Sequence, residues 1–149
     1  MIKETTPRDL GYIAGNLNKM DRAECVAQVG EAGLRDTILA HAGSMGWIAW
    51  HNDKPAAAFG VAPMIAGTWV AWMFGTKDSW RVVPEITRMI PAIEDKMRSL
   101  GGRRAEARSI ITHHRAHSWL SRGVGMERAA EMPGYGVEGE TFVLFQKEL

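Results

Sequence analysis

The sequence predicts an α/β (α+β) fold: a mixed, mostly antiparallel twisted sheet of six or seven strands with helices on both faces. Three observations carry this. Trp69, Val70, Ala71, Trp72, Met73 and Phe74 form an uncharged run of aromatic, β-branched and apolar residues, the pattern of a strand buried on both faces. Past Gly75 and Thr76, Ile86, Met89, Ile90, Ile93, Met97 and Leu100 recur at helical spacing. Before the run, two further strand patterns are joined to it by connections so short that the three must form an antiparallel meander.

Each element has its own local reason. Ile2 to Thr5 reads as a short first strand. Thr6, Pro7 and Asp9 then mark a helix start, with a capping hydroxyl, a proline suited to the first helical position and an acid at the positive dipole end. Leu10, Ile13, Ala14 and Leu17 form its inner face. Asp21 and Glu24 repeat the capping pattern three residues apart, and a third helical segment is expected over Leu34 to Ala42. Gly30, Gly33 and Gly43 punctuate these segments. GWIAWH and AAAFGVAPM are the first two strands of the meander, with HNDKP as the tight turn between them. Pro84 is expected to open the long helix, Pro91 to kink or split it at Ile90, and Gly101 and Gly102 to end it. RRAEARSI must then run parallel to the central strand, because a whole helix separates them. HHRAHSWLSR is a last helix, and MERAAEM and TFVLFQKEL close the chain as two strands around PGYGVEGE.

Composition bounds the function. The 149 residues suit one domain over 1–149, with 46% apolar and 23% charged residues and a net charge of +1. That balance excludes a disordered or fibrous chain and carries no overall electrostatic footprint for nucleic acid. Arg103, Arg104 and Arg108 make one local basic stretch. Cys25 is the only cysteine, which rules out an internal disulfide and a cysteine metal cluster and fits a reducing compartment. No apolar run reaches the ~20 residues of a membrane span, and no signal-like segment opens the chain, so the cytoplasm is the expected location.

The order of strand, helices, meander, helix, strand, helix and two strands resembles the GNAT-type N-acetyltransferase fold across essentially the whole chain. The closing half, with Thr76…Arg81, Trp119-Leu120…Gly123 and Gly136…Gly139…Phe142…Phe145, resembles the internal virion protein family of short-tailed phages. That second resemblance implies a role in particle assembly or DNA delivery, other phage virion proteins as partners, and residence in the host cytoplasm and then the virion. Self-association stays open.

The first resemblance implies acetyl-CoA as cofactor. Its pyrophosphate would lie against the stretch Gly75 to Pro84, which makes Gly75, Lys77, Ser79 and Arg81 candidate binding residues. Backbone donors near Met73 and Phe74 would polarise the thioester carbonyl. The superfamily pattern here is Gln/Arg-x-x-Gly-x-Gly/Ala. This chain has no glycine between Gly75 and Pro84, places Asp78 near the anion, and loses a donor at Pro84. The tyrosine that often protonates the departing thiolate is replaced at its position by Trp119, whose indole is a poor acid. Glu106 and His51 are the available general bases, though each reads more readily as a solvated surface residue. His113 and His117 share a helix face, yet no acidic ligand accompanies them and no metal is expected. Six tryptophans serve either as core or as an aromatic partner surface. The expectation is therefore a virion component that keeps the fold with weak or lost acyl transfer. The alternative is a working acetyl-CoA-dependent N-acetyltransferase acting on a small amine or a protein amino group.

Overall fold

A computed structural model describes residues 1–149. Seven strands, β1 (Ile2–Glu4), β2 (Met45–His51), β3 (Lys54–Ile65), β4 (Thr68–Gly75), β5 (Arg104–Ile110), β6 (Glu127–Met132) and β7 (Phe142–Glu148), form one sheet in the order β1-β2-β3-β4-β5-β7-β6. Only β4 and β5 run parallel; every other neighbouring pair is antiparallel. Helices α1 (Pro7–Gly15) and α2 (Lys19–Ala40) cover one face, and α3 (Ser79–Ser99) and α4 (His114–Trp119) cover the other. The mixed, mostly antiparallel sheet with helices on both faces is as the sequence predicts.

Side-chain alternation sorts the core into two layers. Phe59, Trp69, Val82, Ile86, Ile93, Met97, Val143 and Phe145 pack between the sheet and α3, with Trp47 at their edge. Leu10, Ile13, Cys25, Ile38, Ile48 and Phe74 pack under α1 and α2, with Trp50 and Trp72 beside them. The two tryptophans of each strand thus go to opposite faces, as alternation requires. Trp72 needs space that only glycine leaves: a Cβ on Gly46 or on Gly60 would come within 2.6 Å of its ring.

The local signals act largely where expected. Thr6 Oγ1 accepts from the Asp9 amide at 3.1 Å with Pro7 opening α1. Asn52 and Asp53 both take positive φ in the tight β2–β3 turn, a conformation these residue types tolerate best after glycine. Gly101 stops α3 at φ +87°, while the Gly102 amide closes back on the Met97 carbonyl at 2.8 Å.

Three expectations are corrected. The cap of α2 is Asn18, whose Oδ1 accepts from the Asp21 amide at 2.8 Å; Asp21 and Glu24 lie inside the helix and do other work. The segment over Leu34–Ala42 is no separate helix but the second half of α2, turned by Gly30 at φ 78° and ψ 164°. Helix α3 begins at Ser79, ahead of Pro84, and runs unbroken through Pro91. Both prolines are exposed and lie about two turns apart on the solvent side, so water can replace each lost backbone bond.

Candidate functional site

The sheet opens at its centre. Strands β4 and β5 pair at Thr68↔Arg104, Trp69↔Ala105 and Val70↔Glu106 and then diverge toward their C-terminal ends. The β3–β4 ladder bonds the Thr76 amide to Ala56 O at 2.9 Å, so alternation turns the amides of Phe74 and Trp72 toward β3 and those of Gly75 and Met73 into the opening. A cleft of about 340 Å³ occupies the gap. Its lining includes Trp72 and His41 from the α2 face and Ile93 and Trp119 from the α3 face, so it passes through the sheet.

Two carboxylates one turn apart on α2 hold the strand ends apart. Asp21 Oδ2 accepts the Gly75 amide of β4 at 2.8 Å, and Asp21 Oδ1 meets His113 Nε2 at 2.8 Å. Glu24 Oε1 accepts both the Ser109 hydroxyl and the Ile110 amide of β5 at 2.7 Å. Each acid thus satisfies an edge amide that the divergence would otherwise orphan. Glu24 Oε2 has no protein partner, and Glu24 borders the cleft.

The electrostatics follow from this packing. Burial raises the Glu24 carboxyl above its ordinary value, against the opposing bonds from Ser109 and Ile110 and the His113 charge. Burial alone would lower His113, but the Asp21 hydrogen bond and the Glu24 and Asp21 charges outweigh it and the ring titrates above its ordinary value. Cys25, beside Glu24 in sequence and buried, has its thiol pushed up to about 11 and is inert as a nucleophile. His41, stacked on Trp72 at 4.3 Å between ring centroids, is lowered by burial and is neutral.

The residues singled out in the sequence fall in different places. Glu106 is not a solvated surface residue. It is 8% exposed and held by Arg104 Nε at 2.8 Å and Arg108 Nη2 at 3.1 Å, because β5 sets all three side chains on one face. His51 sits at the end of the β2–β3 hairpin, opposite Lys54 and outside the cleft lining. The Trp119 indole donates to Thr87 Oγ1 at 2.9 Å, tying α4 to α3, and lies against Gly123, where a Cβ would approach it to 2.5 Å. His113 and His117 are buried. His113 bonds Asp21, and His117 Nε2 bonds Ile110 O at 3.0 Å. No three His, Cys, Asp or Glu side chains gather as a metal site would require.

Of the six candidate cofactor residues, three are committed within the protein. The Gly75 amide belongs to Asp21. The Phe74 side chain is core and its amide faces β3. Ser79 is 1% exposed, its amide bonds Thr76 O, and its Oγ accepts from Asn18. Met73 presents its amide to the cleft, while Lys77 and Arg81 are exposed at the start of α3. In the turn after β4, the Asp78 and Arg81 amides are also internally bonded, which leaves those of Lys77 and Trp80 without partners.

No protein-family model matches the chain, and no curated protein matches it in sequence. Solved structures do match in shape. The yncA protein of Salmonella typhimurium with its cofactor acetyl-CoA superposes at a TM-score of 0.71 with 17% identity, covering 100% of this chain and 93% of that one. Aminoglycoside 6'-acetyltransferase type Ii gives 0.68 with 15% identity over 99% and 96%. Ribosomal-protein-alanine N-acetyltransferase from Brucella melitensis gives 0.68 with 12% identity over 100% and 99%. The chain has the GNAT acetyltransferase fold.

The groups present fit acetyl-CoA in two of its parts. The bare β4 edge past the last β5 bridge, at the Ala71 carbonyl and the Met73 amide, offers an acceptor and a donor to an amide-bearing arm lying in the gap, as a missing strand would. The start of α3 offers the Lys77 and Trp80 amides, the Lys77 ammonium and the helix dipole to phosphate. The Arg81 guanidinium, near Asp78 at 3.6 Å, adds charge there.

Proposed function

We propose that this chain is an acetyl-CoA-dependent N-acetyltransferase acting on a small amine. The observation that carries the reading is the through-sheet cleft, where the bare Met73 amide and the free oxygen of Glu24 border the same gap. Acetyl-CoA, when bound, supplies the activated acyl thioester. The β4 edge would hold it, and the Met73 N–H would supply a donor to the negative charge that carbonyl oxygen gains in acyl transfer. Entry from the α2 face brings the amine to Glu24. The Glu24 Oε2 takes the ammonium proton, a task helped by a carboxyl that burial has made more basic. The wall of Trp72, Phe74 and Trp119 keeps water from the gap. Trp119 donates no proton in this scheme, since its N–H is held by Thr87. As the C–N bond forms and the C–S bond breaks, the leaving thiolate would take the second proton that the amine nitrogen loses.

The test is thiol release from acetyl-CoA in the presence of a panel of amines. Amine-dependent release by the wild type, lost on Glu24→Gln, is expected; a wild type that releases no thiol with any amine overturns the reading. Residence in a phage particle and contact with virion proteins stand as a separate proposal, supported by the motifs of the closing half alone. Mass spectrometry of purified particles decides it, and absence of the chain from them removes it.

A further inference from the structure

The charges bordering the cleft pair off with two exceptions. Asp21 is taken by His113, and Glu94 on α3 by Lys147 on β7. Glu24 has no cation of its own, and Arg108 shares the single carboxylate of Glu106 with Arg104. Arg108 belongs to the basic stretch of β5, and the fold explains only part of that stretch. Glu106 lies between Arg104 and Arg108, so one carboxylate answers two guanidiniums and a positive charge is left over. Arg104 is the more exposed, with 37% of its side chain open to solvent; Arg108, at 22%, borders the cleft. One Arg108 Nη2 contact goes to Glu106 and a long 4.0 Å one to Met64 Sδ, so most of its five N–H donors have no acceptor in the protein.

Its position is on the acceptor side. Along β5, Ala105 and Ala107 face α3, so Arg104, Glu106 and Arg108 face the α2 side. Two residues further on, the Ile110 amide binds Glu24. A carboxylate on α2 bonded to the end of β5 and a guanidinium on β5 with open donors therefore border one cleft. The loop between β6 and β7 limits what can reach them. Tyr135 borders the cleft and packs on Phe142, the Val137 amide bonds Ala27 O of α2 at 2.8 Å, and a Cβ on Gly136 would meet Glu140 Oε1 at 2.3 Å. The Ala27 carbonyl is free for that bond because the turn at Gly30 removes its helical partner. The loop is thus fastened over the acceptor side.

We propose that the acceptor is a small amino-carboxylate, its ammonium directed to Glu24 and its carboxylate to Arg108. The proposal rests on the transferase reading for its chemistry, and on the Glu24–Arg108 arrangement for its ligand class. A polyamine would meet an uncompensated guanidinium where its second cation must go. An extended nucleic acid finds no open run of cations there, because Arg104 and Arg108 share one carboxylate and a single positive charge is left over.

Isothermal titration of the full chain with matched ligands tests this without the cofactor: ω-amino acids of increasing length against the alkylamine and the diamine of the same length. The best amino acid should bind about tenfold more tightly than its alkylamine, about 1.4 kcal/mol, as expected for one charge-assisted hydrogen bond. Arg108→Gln should abolish that preference, and so should Glu106→Gln/Arg108→Gln, which avoids leaving Glu106 short of a partner. Equal binding of the pair, tighter binding of the diamine, or a preference that survives both variants overturns the proposal. Acetyl-CoA is titrated separately. Failure there overturns the transferase reading, while the ligand comparison still decides what the Glu24–Arg108 cleft prefers.

Discussion

Glu24 is the residue on which the proposed chemistry turns. Glutamine in its place keeps an oxygen for Ser109 and Ile110 but cannot accept a proton, so kcat/KM should fall by about 10²–10⁴, with acetyl-CoA binding unchanged. The wild-type rate should fall as pH drops through the raised Glu24 value, and a pH–rate profile reads that limb directly. Trp119 gives the contrasting case. Trp119→Phe removes the bond to Thr87 and should cost about 1 kcal/mol of stability in denaturant titrations, with no loss of transfer rate. A rate loss beyond the stability effect would make the indole a catalytic group. Neither residue's role is legible in the sequence. Asp21 and Glu24 look like a capping pair because local spacing reports the helix and not what the helix docks against. The partners of Glu24, Ser109 and Ile110, come 85 and 86 residues later. Glu106 looks solvated for the same reason: the ion pairs that bury it depend on which face of β5 turns inward.

At the level of elements, glycines fix the junctions. Gly75 has no room for a side chain, since a Cβ would come within 2.4 Å of Ser79 Cβ and 3.3 Å of Asp21 Oδ2. Gly75→Ala should therefore push the start of α3 away from β4, costing about 1–3 kcal/mol and weakening acetyl-CoA binding. Gly30→Ala meets no atom within 4 Å, yet its φ of 78° strains any other residue by about 1–3 kcal/mol. Thermal melts compare the two, and only the first should change cofactor affinity. The strands and the α1 cap follow from patterns that act within a few residues, which is why Thr6-Pro7 and the meander are readable in advance. The long helix shows the limit. Local rules weigh the lost bonds at Pro84 and Pro91, whereas the burial of Val82, Ile86, Ile93 and Met97 along one face keeps α3 whole.

Across the whole molecule, buried histidines oppose one another in their pH dependence. His113 is raised, so its stabilising contribution is complete below the unfolded value of about 6.5 and is lost as pH rises through the folded one. Glu24, also raised, loses stability in the same direction once pH passes the ordinary carboxyl value. His41 and His117 are lowered, chiefly by burial; their contribution is complete above about 6.5 and is lost as pH falls through their folded values. Melting temperature should therefore fall as pH rises from about 6.5 through the raised His113 value. His41 and His117 destabilise the fold as pH drops below about 6.5, in the range where Glu24 acts in the opposite sense; Glu24→Gln should make that acid-side fall steeper. The mixed sheet with helices on both faces is legible in the sequence because periodicity alone generates it. The divergence of β4 from β5 is not, because it arises where α2 meets two strand ends from distant parts of the chain. That divergence carries the central claim of the proposed function, that an acyl-carrying cofactor would occupy the gap between β4 and β5. Calorimetric titration of the full chain with acetyl-CoA tests it most directly. Saturable binding of one molecule per chain is predicted, and the absence of any binding at millimolar acetyl-CoA would contradict it.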